Sequence, residues 1–587
     1  MSEELRMQND ACGCGHPRLS AALVLLLALA AGLPSLWTRD LLVSDEVRLT
    51  EGARQLVQAP GGWLARVNGQ AVVTEAPLPY WAASLLWRAG AGAASARLLS
   101  VLAGVAVVLV CFGAAARAGG VARGRLAGAV ALTTMAVFWP MRQGGAQLLG
   151  ALLLTACLLA GRRAADSRDG GSAGWWAACG SAAALGVFAV GLSVLLLAAL
   201  VLGLYVLVAR KRLPSPVSLL AGLAVPAGAV ILWHAAVAGA PAADGLAWRL
   251  LTRDLAGLRA SLREGDLHRA VLSTAGAFLP WIVIVPGAFV AAVRARRSDD
   301  GDLPLFAAVW LAALAVPAVL GGREGAPDYA AAAVPALAIL CAWVLAPCGD
   351  PAPVGTAQRR LVRSALVLSA VFMGGILLLG FFHLAGGTYL ILGQRYVCPV
   401  TDQPYSPYAL ALVLPFVAGC LAVIAAILRT PIERRARQAW LMVAAVFFLG
   451  IAADLFLTPV MDAYRSARPF AEKVAQSVGP DDRLFLYRKD YDGLYNLLTG
   501  RSEIPVIETE SRLVEALTHP GTFVIVEGKR LKRIRGGERL RESAVIEGLV
   551  GGRRMLLLGS GWLMQGLASV PAGSAPQREG QREPPER

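Results

Sequence analysis

The chain is 587 residues long, 56% hydrophobic and only 16% charged, with a formal net charge of +15. A soluble protein of that length needs about a quarter of its residues charged to coat its surface, so an ordinary soluble enzyme is excluded. The positive charge sits in short clusters between apolar runs and not along one soluble face. That argues against a nucleic-acid binder and for Lys and Arg retained on the cytoplasmic side of a membrane.

Residues 1–17 are mostly polar and read as a cytoplasmic tail. Cys12, Cys14 and His16 lie there, but three ligands on a Gly-rich tail with no second half make a weak metal pattern. The first apolar run has no convincing cleavage site after it and reads as a retained helix. A spanning helix needs about 20 mostly apolar residues. On that ruler, spans are expected at 18–37, 97–116, 125–140, 145–161, 174–190, 192–209, 217–238, 273–293, 304–320, 329–346, 364–384, 407–428 and 439–457. Residues 18–457 thus read as a polytopic α-helical membrane domain of about thirteen helices.

With the N-terminus inside and the spans alternating, the inside connections collect the basic residues. They hold Arg117, Arg123 and Arg125; Arg162, Arg163 and Arg168; Arg210, Lys211 and Arg212; Arg294, Arg296 and Arg297; Arg359, Arg360 and Arg363; and Arg429, Arg434, Arg435 and Arg437. One missed helix would put the later clusters on the wrong side. Cys111, Cys157, Cys179, Cys341 and Cys420 fall inside apolar runs as small hydrophobes. Cys398 falls outside them without an obvious partner, and no structural disulfide is expected.

Three outside segments are long enough to hold a site: 38–96, 240–272 and the tail after 458. In the second, Leu250, Leu251, Leu255, Leu258 and Leu262 interleave with Arg249, Arg253, Arg259 and Arg263. That pattern suits a helix lying in the membrane interface or packed on the outer domain. In the tail, β-like runs (483–487, 504–507, 523–527) alternate with helical stretches (466–477, 511–517). Alternation of that kind implies a small extracytoplasmic α/β domain over 458–570. Residues 571–587, rich in Pro, Gln, Glu and Arg, read as disordered.

The first outside segment is the most informative part of the chain. It opens with Ser44-Asp45-Glu46-Val47-Arg48-Leu49-Thr50-Glu51 and closes with Glu75-Ala76-Pro77-Leu78-Pro79-Tyr80-Trp81. Asp45, Arg48 and Glu51 fall within two helical turns and can share a face. Ionisable groups at a lipid–water boundary are usually functional. A surface ion pair is the bland alternative.

The order DE-x-R-x-x-E after a first helix, then E-x-P-x-P-Y-W, resembles the lipid A aminoarabinose transferases. These are relatives of the protein O-mannosyltransferases with the GT-C-like fold of lipid-linked-sugar glycosyltransferases. Further matches follow in order: Phe278-Leu279-Pro280-Trp281, then Pro327-Asp328-Tyr329 with Val334-Pro335-Ala336-Leu337-Ala338, then Ser466-Ala467-Arg468 through Ala471.

The resemblance implies a transferase that moves a sugar from a polyprenyl-phosphate donor, with inversion, to a lipid A-like lipid, a glycan or a protein. It implies a bacterial inner membrane and an outward-facing site. Asp45 would be the acidic residue at the catalytic centre, acting as base toward the acceptor or orienting it, with Glu46 the second catalytic residue. Arg48 would face the donor phosphate, and Glu51, Tyr80, Arg97 and Tyr329 would bind substrate. Glu75 would bind substrate and help hold a divalent metal, the one cofactor implied. Arg142 and Arg323 are weaker candidates. The family's Lys after the loop glutamate is Ala76 here, its Lys before a Gly-Pro is Val190, and the acid opening its fourth-helix region is Gln147. A flippase or transporter of lipid-linked sugar would show polar residues deep in several spans or paired halves. A noncatalytic envelope assembly factor would use the tail alone.

Overall fold

In a computed structural model the chain separates into two compact units. One comprises Met1–Ser466 and Asp492–Leu497, the other Ala467–Tyr491 and Leu498–Arg587. The structure describes residues 16–34, 39–40, 44–59, 63–72, 75–167, 172–211, 215–237, 267–295, 302–320, 322–346, 363–368, 388–391, 394–397, 421–431, 434–452, 465–534 and 537–560, with isolated positions between them. Cys12 and Cys14, the expected interfacial helix at 250–262, the side chain of Arg323, Cys398 and Cys420, the tail 571–587, and most of the spans expected at 364–384 and 407–428 lie outside the described residues.

The first unit is helical. Its elements in chain order are α1 Pro17–Gly32, α2 Ser44–Gln58, the short hairpin β1–β2 (Arg66–Val67, Gln70–Ala71), α3 Leu78–Leu86 and α4 Ser95–Gly119. Then come α5 Val121–Thr133, α6 Gln147–Asp166, α7 Ser172–Val190, α8 Ser193–Val208 and α9 Pro216–Val237. The remainder are α10 Leu267–Ala277, α11 Val285–Ala295, α12 Leu303–Leu320, α13 Gly322–Leu345, a hairpin β3–β4 (Thr388–Ile391, Gln394–Val397) and α14 Arg435–Ala452.

Many of these helices are apolar on both faces, so packing alone does not hide their Leu and Ile side chains. Leu19, Leu207, Leu220, Ile231 and Leu232 are exposed. That is a water-incompatible surface, and it suits contact with lipid. Four helical stretches among the described residues are long and apolar enough to cross a membrane, or six if two sharply bent pairs each count as one.

The bends correct the sequence reading. Val121–Thr133 turns by 67° into Met135–Arg142, and Val271–Ala277 by 95° into Trp281–Val290. The stretch expected to begin near residue 97 starts at Leu78 and runs to Gly119, with a kink at Gly90, whose φ of 101° is open to glycine alone. The expected outer loop 38–96 is therefore largely α2, a hairpin and α3.

α13 is the central post. Ala330 to Val334 and Ala336 to Ala346 are buried in one run, and small residues let α5, α6, α10 and α12 approach it closely. The Pro-Ala-Leu-Ala stretch noted in the sequence lies within it.

The second unit begins with α15 Arg468–Ser477 and is built on a five-stranded sheet in the order β6-β5-β7-β9-β8. β5 (Arg483–Tyr487) pairs in parallel with β6 (Val506–Ile507) and β7 (Thr522–Glu527). β9 (Arg553–Gly559) runs antiparallel to β7 and to β8 (Ala544–Val550). Val524, Val526, Leu556 and Leu558 alternate inward to meet Leu513 and Leu517 of a helix at Glu510–Thr518. Thr509 caps that helix, its hydroxyl accepting from the Arg512 amide at 3.4 Å.

Candidate active site

α2 is where sequence becomes site. Asp45 and Glu46 in its first turn suit the positive end of the helix dipole. Asp45, Arg48 and Leu49, at i, i+3 and i+4, share the face that looks into a cleft of about 200 Å³. Glu75 and Ala76, then Pro79 and Tyr80 of α3, form a second wall. Gly145 to Gln147, where α6 begins, and Ala189 and Val190, where α7 ends, complete the lining. The α2–α3 corner closes tightly because residue 52 is glycine. A Cβ there would sit 2.5 Å from Cε1 of Tyr80.

Arg48 is the cation of the cleft. Its Nε lies 2.6 Å from Oε1 of Glu75, with both side chains about 30% exposed. The Tyr80 hydroxyl donates to the other Glu75 oxygen. Nη1 of Arg48 lies 4.0 Å from Oδ1 of Asp492, and the Ser44 hydroxyl donates to the other Asp492 oxygen. Burial alone would lower the Arg48 pKa, but the Glu75 carboxylate, with Asp492 adding to it, outweighs that and holds the guanidinium above its ordinary value. Asp45 is exposed at the rim.

Three other candidates sit in buried ion pairs away from the cleft lining. Glu46 is fully buried and pairs with Arg97. Burial pushes its carboxyl up, ahead of the opposing pull of Arg97. Arg97, near the start of α4, also donates to the carbonyls of Leu36 (3.1 Å), Arg39 (2.6 Å) and Asp40 (2.8 Å). It ties down the link between α1 and α2. Glu51 is fully buried as well, and both of its oxygens accept from Arg54 at 2.7 Å, one of them also from Gln55. Burial again raises its carboxyl ahead of Arg54. None of these three lines the cleft. A substrate reaching them would first have to break buried pairs.

Arg142 is likewise buried and paired. Its Nη2 lies 3.2 Å from Asp454, its Nε donates to Ala31 at 3.1 Å, and its carbonyl accepts from Arg39 at 3.0 Å. Tyr329 is half-buried on α13 and does not line the cleft either.

The expected metal at Glu75 is not supported by the residues around it. Among the described residues no three His, Cys, Asp or Glu side chains group as ion ligands, and the Glu75 oxygens already serve Arg48 and Tyr80. Sequence reasoning missed Ser44 and Asp492. Ser44 was legible as a residue opening an amphipathic run. Asp492 was legible only as the turn dipeptide Asp-Gly.

The backbone aligns with crystal structures of ArnT from Cupriavidus metallidurans. The form bound to undecaprenyl phosphate gives a TM-score of 0.68 at 18% identity, covering 95% of this chain and 99% of that one. The chain has the ArnT fold. The apo form of ArnT aligns equally well, with a TM-score of 0.68 at 18% identity over 91% of this chain and 97% of that one. The archaeal oligosaccharyltransferase AglB from Archaeoglobus fulgidus aligns loosely, at 0.44 and 12% identity over 87% of this chain and 69% of that one. No protein-family model and no curated protein sequence matches the chain. Within its ArnT fold, the positions where the resemblance leads one to expect lysines, Ala76 and Val190, both line the cleft, as does Gln147. Arg48 is thus the one cation among the described residues that line the cleft.

Proposed function

We propose that the chain is a membrane glycosyltransferase that moves a sugar from a polyprenyl-phosphate donor to an envelope acceptor: a lipid A-like lipid, a glycan or a protein. The observation that carries this reading is the convergence of Asp45, Arg48, Glu75 and Tyr80 on one cleft in a chain with the fold of an undecaprenyl-phosphate-binding protein. On this reading the protein sits in a bacterial inner membrane with about thirteen spans. Its basic connections face the cytoplasm, and the cleft and the unit after residue 466 face outward.

The chemistry follows from the side chains present. Arg48 presents a planar guanidinium whose paired N–H groups match two phosphate oxygens. The acceptor hydroxyl oxygen attacks the anomeric carbon from the face opposite the phosphate. Its proton passes to the Asp45 carboxylate, which is exposed and can reach an incoming acceptor. The bond between anomeric carbon and phosphate oxygen breaks, and its electron pair stays on the polyprenyl phosphate. The charge that grows there is met by Arg48 in a partly dehydrated cleft. Glu75 and Tyr80 hold Arg48 from behind.

The test is transfer from a labelled undecaprenyl-phosphate sugar to extracted envelope lipid by purified wild-type protein and by Asp45→Asn. Wild-type transfer that is lost in the variant supports the reading. Asp45→Asn protein as active as wild type removes Asp45 from the reaction.

A further inference from the structure

The chain leaves the first unit at Ser466 and returns to it for six residues, Asp492–Leu497. The return is made on unusual backbone. Tyr491 and Asp492 have φ of 54° and 57°, and Gly493 has φ of 80°. Two consecutive non-glycine residues in the left-handed region are uncommon, although Asp and Asn tolerate it best. Such conformations persist only where the surroundings over-determine them.

Here they do. A Cβ on Gly493 would fall 2.9 Å from Cγ of Glu51 and 2.9 Å from Cγ1 of Val67, so the backbone lies directly on α2 and the β1 strand. Nδ2 of Asn496 donates to Oδ1 of Asn68 at 2.9 Å. The segment is thereby clamped to the loop that carries the cleft. The clamp aims one carboxylate. Asp492 accepts from Ser44 at the first residue of α2 and faces Nη1 of Arg48 one turn later.

We propose that Asp492 is a positioning residue for Arg48, and that the return 492–497 is part of the phosphate-binding site. Arg48 is held from two sides, Nε by Glu75 and Nη1 toward Asp492. A guanidinium restrained on two edges presents its remaining N–H groups in a fixed direction. It loses less rotamer freedom when a phosphate docks. With Asp492 neutral, Arg48 is held by Glu75 alone. It can then rotate to pair both Glu75 oxygens, which draws it away from the ligand. The inference rests on the reading of Arg48 as a phosphate ligand.

The experiment is a double-substitution cycle on the full chain in nanodiscs, read as undecaprenyl phosphate affinity and, separately, as sugar transfer. Asp492→Asn keeps a side chain that tolerates the left-handed turn and can accept from Ser44, and it removes only the charge. It is expected to weaken undecaprenyl phosphate binding about three- to ten-fold in the wild-type background and less than about 1.5-fold when Arg48 is already Gln. In transfer, donor KM rises by a similar factor while kcat stays within about two-fold, because positioning acts on ground-state and transition-state binding alike. A merely structural Asp492 would instead give equal losses in both backgrounds, or a fall in kcat with protein yield. Either result overturns the inference, as does unchanged affinity. If undecaprenyl phosphate binds with the expected coupling but wild-type protein transfers no sugar, the glycosyltransferase reading fails while the role of Asp492 stands. If wild-type protein transfers sugar and Asp492→Asn matches it, the reverse holds.

Discussion

One helix carries two kinds of charge. On one face of α2, Asp45 and Arg48 look into a cleft and are partly wet. Elsewhere on its surface Glu46 and Glu51 are sealed, each against its own arginine. Adjacent residues in a helix point about 100° apart, so Asp45 and Glu46 meet wholly different surroundings. The lesson is that a carboxylate's neighbours in sequence say little about its work. What matters is whether water and substrate can reach it. Glu46 and Glu51 are closed off with buried guanidinium groups, whereas Asp45 is exposed at the rim of a cleft.

The contrast can be broken or sharpened by substitution. The largest expected effect is on folding. Arg97→Ala strands the Glu46 carboxylate and three loop carbonyls in the interior and should cost about 3–5 kcal/mol. It is read as a collapse in the yield of monodisperse protein and in thermal midpoint; unchanged stability would mean Glu46 and Arg97 are not sealed. Next is Asp45→Asn, which should reduce transfer kcat by about 100-fold or more, equivalent to about 2.7 kcal/mol of barrier, with the thermal midpoint preserved. A fall in both would make Asp45 another scaffold residue. Gly52→Ala follows, at about 1–3 kcal/mol, because its methyl group must displace the Tyr80 ring. The same shift should loosen the Glu75 contact, so donor KM should rise with the loss of stability. The smallest effect is expected at the second unit's surface. Arg554 and Glu547 lie 2.7 Å apart but are nearly half exposed, and Glu547→Gln should change stability by less than about 1 kcal/mol. A larger loss there would show that surface to be covered in the working protein.

How much of this was legible follows from how local each feature is. The shared face of Asp45 and Arg48 is a matter of helical period, which the sequence displays directly. The same periodicity put Glu51 with them, yet Glu51 turns to Arg54 and Gln55 on its own helix. The choice between those partners depends on what packs over α2. Apolar runs marked where helices lie in the first unit, but not the 67° and 95° bends, which break spans at Thr134 and around Phe278–Pro280. Alternating strand and helix patterns were visible after residue 466. The brief return at Asp492–Leu497 was not, because its contacts with Ser44 and Asn68 span more than four hundred residues and leave no periodic trace.

The grip of Arg97 on the link between α1 and α2 has a consequence for what substitutions this position can accept. The carbonyls of Leu36, Arg39 and Asp40 converge on one flat group whose N–H bonds radiate in a plane, with the Glu46 carboxylate completing the set. A lysine ammonium keeps the charge but offers a compact tripod in place of a fork. Drift from arginine to lysine, tolerated on most protein surfaces, would leave an oxygen unserved here. The codon for residue 97 should therefore be as intolerant of change as that of any residue in the cleft, although residue 97 does not line the cleft.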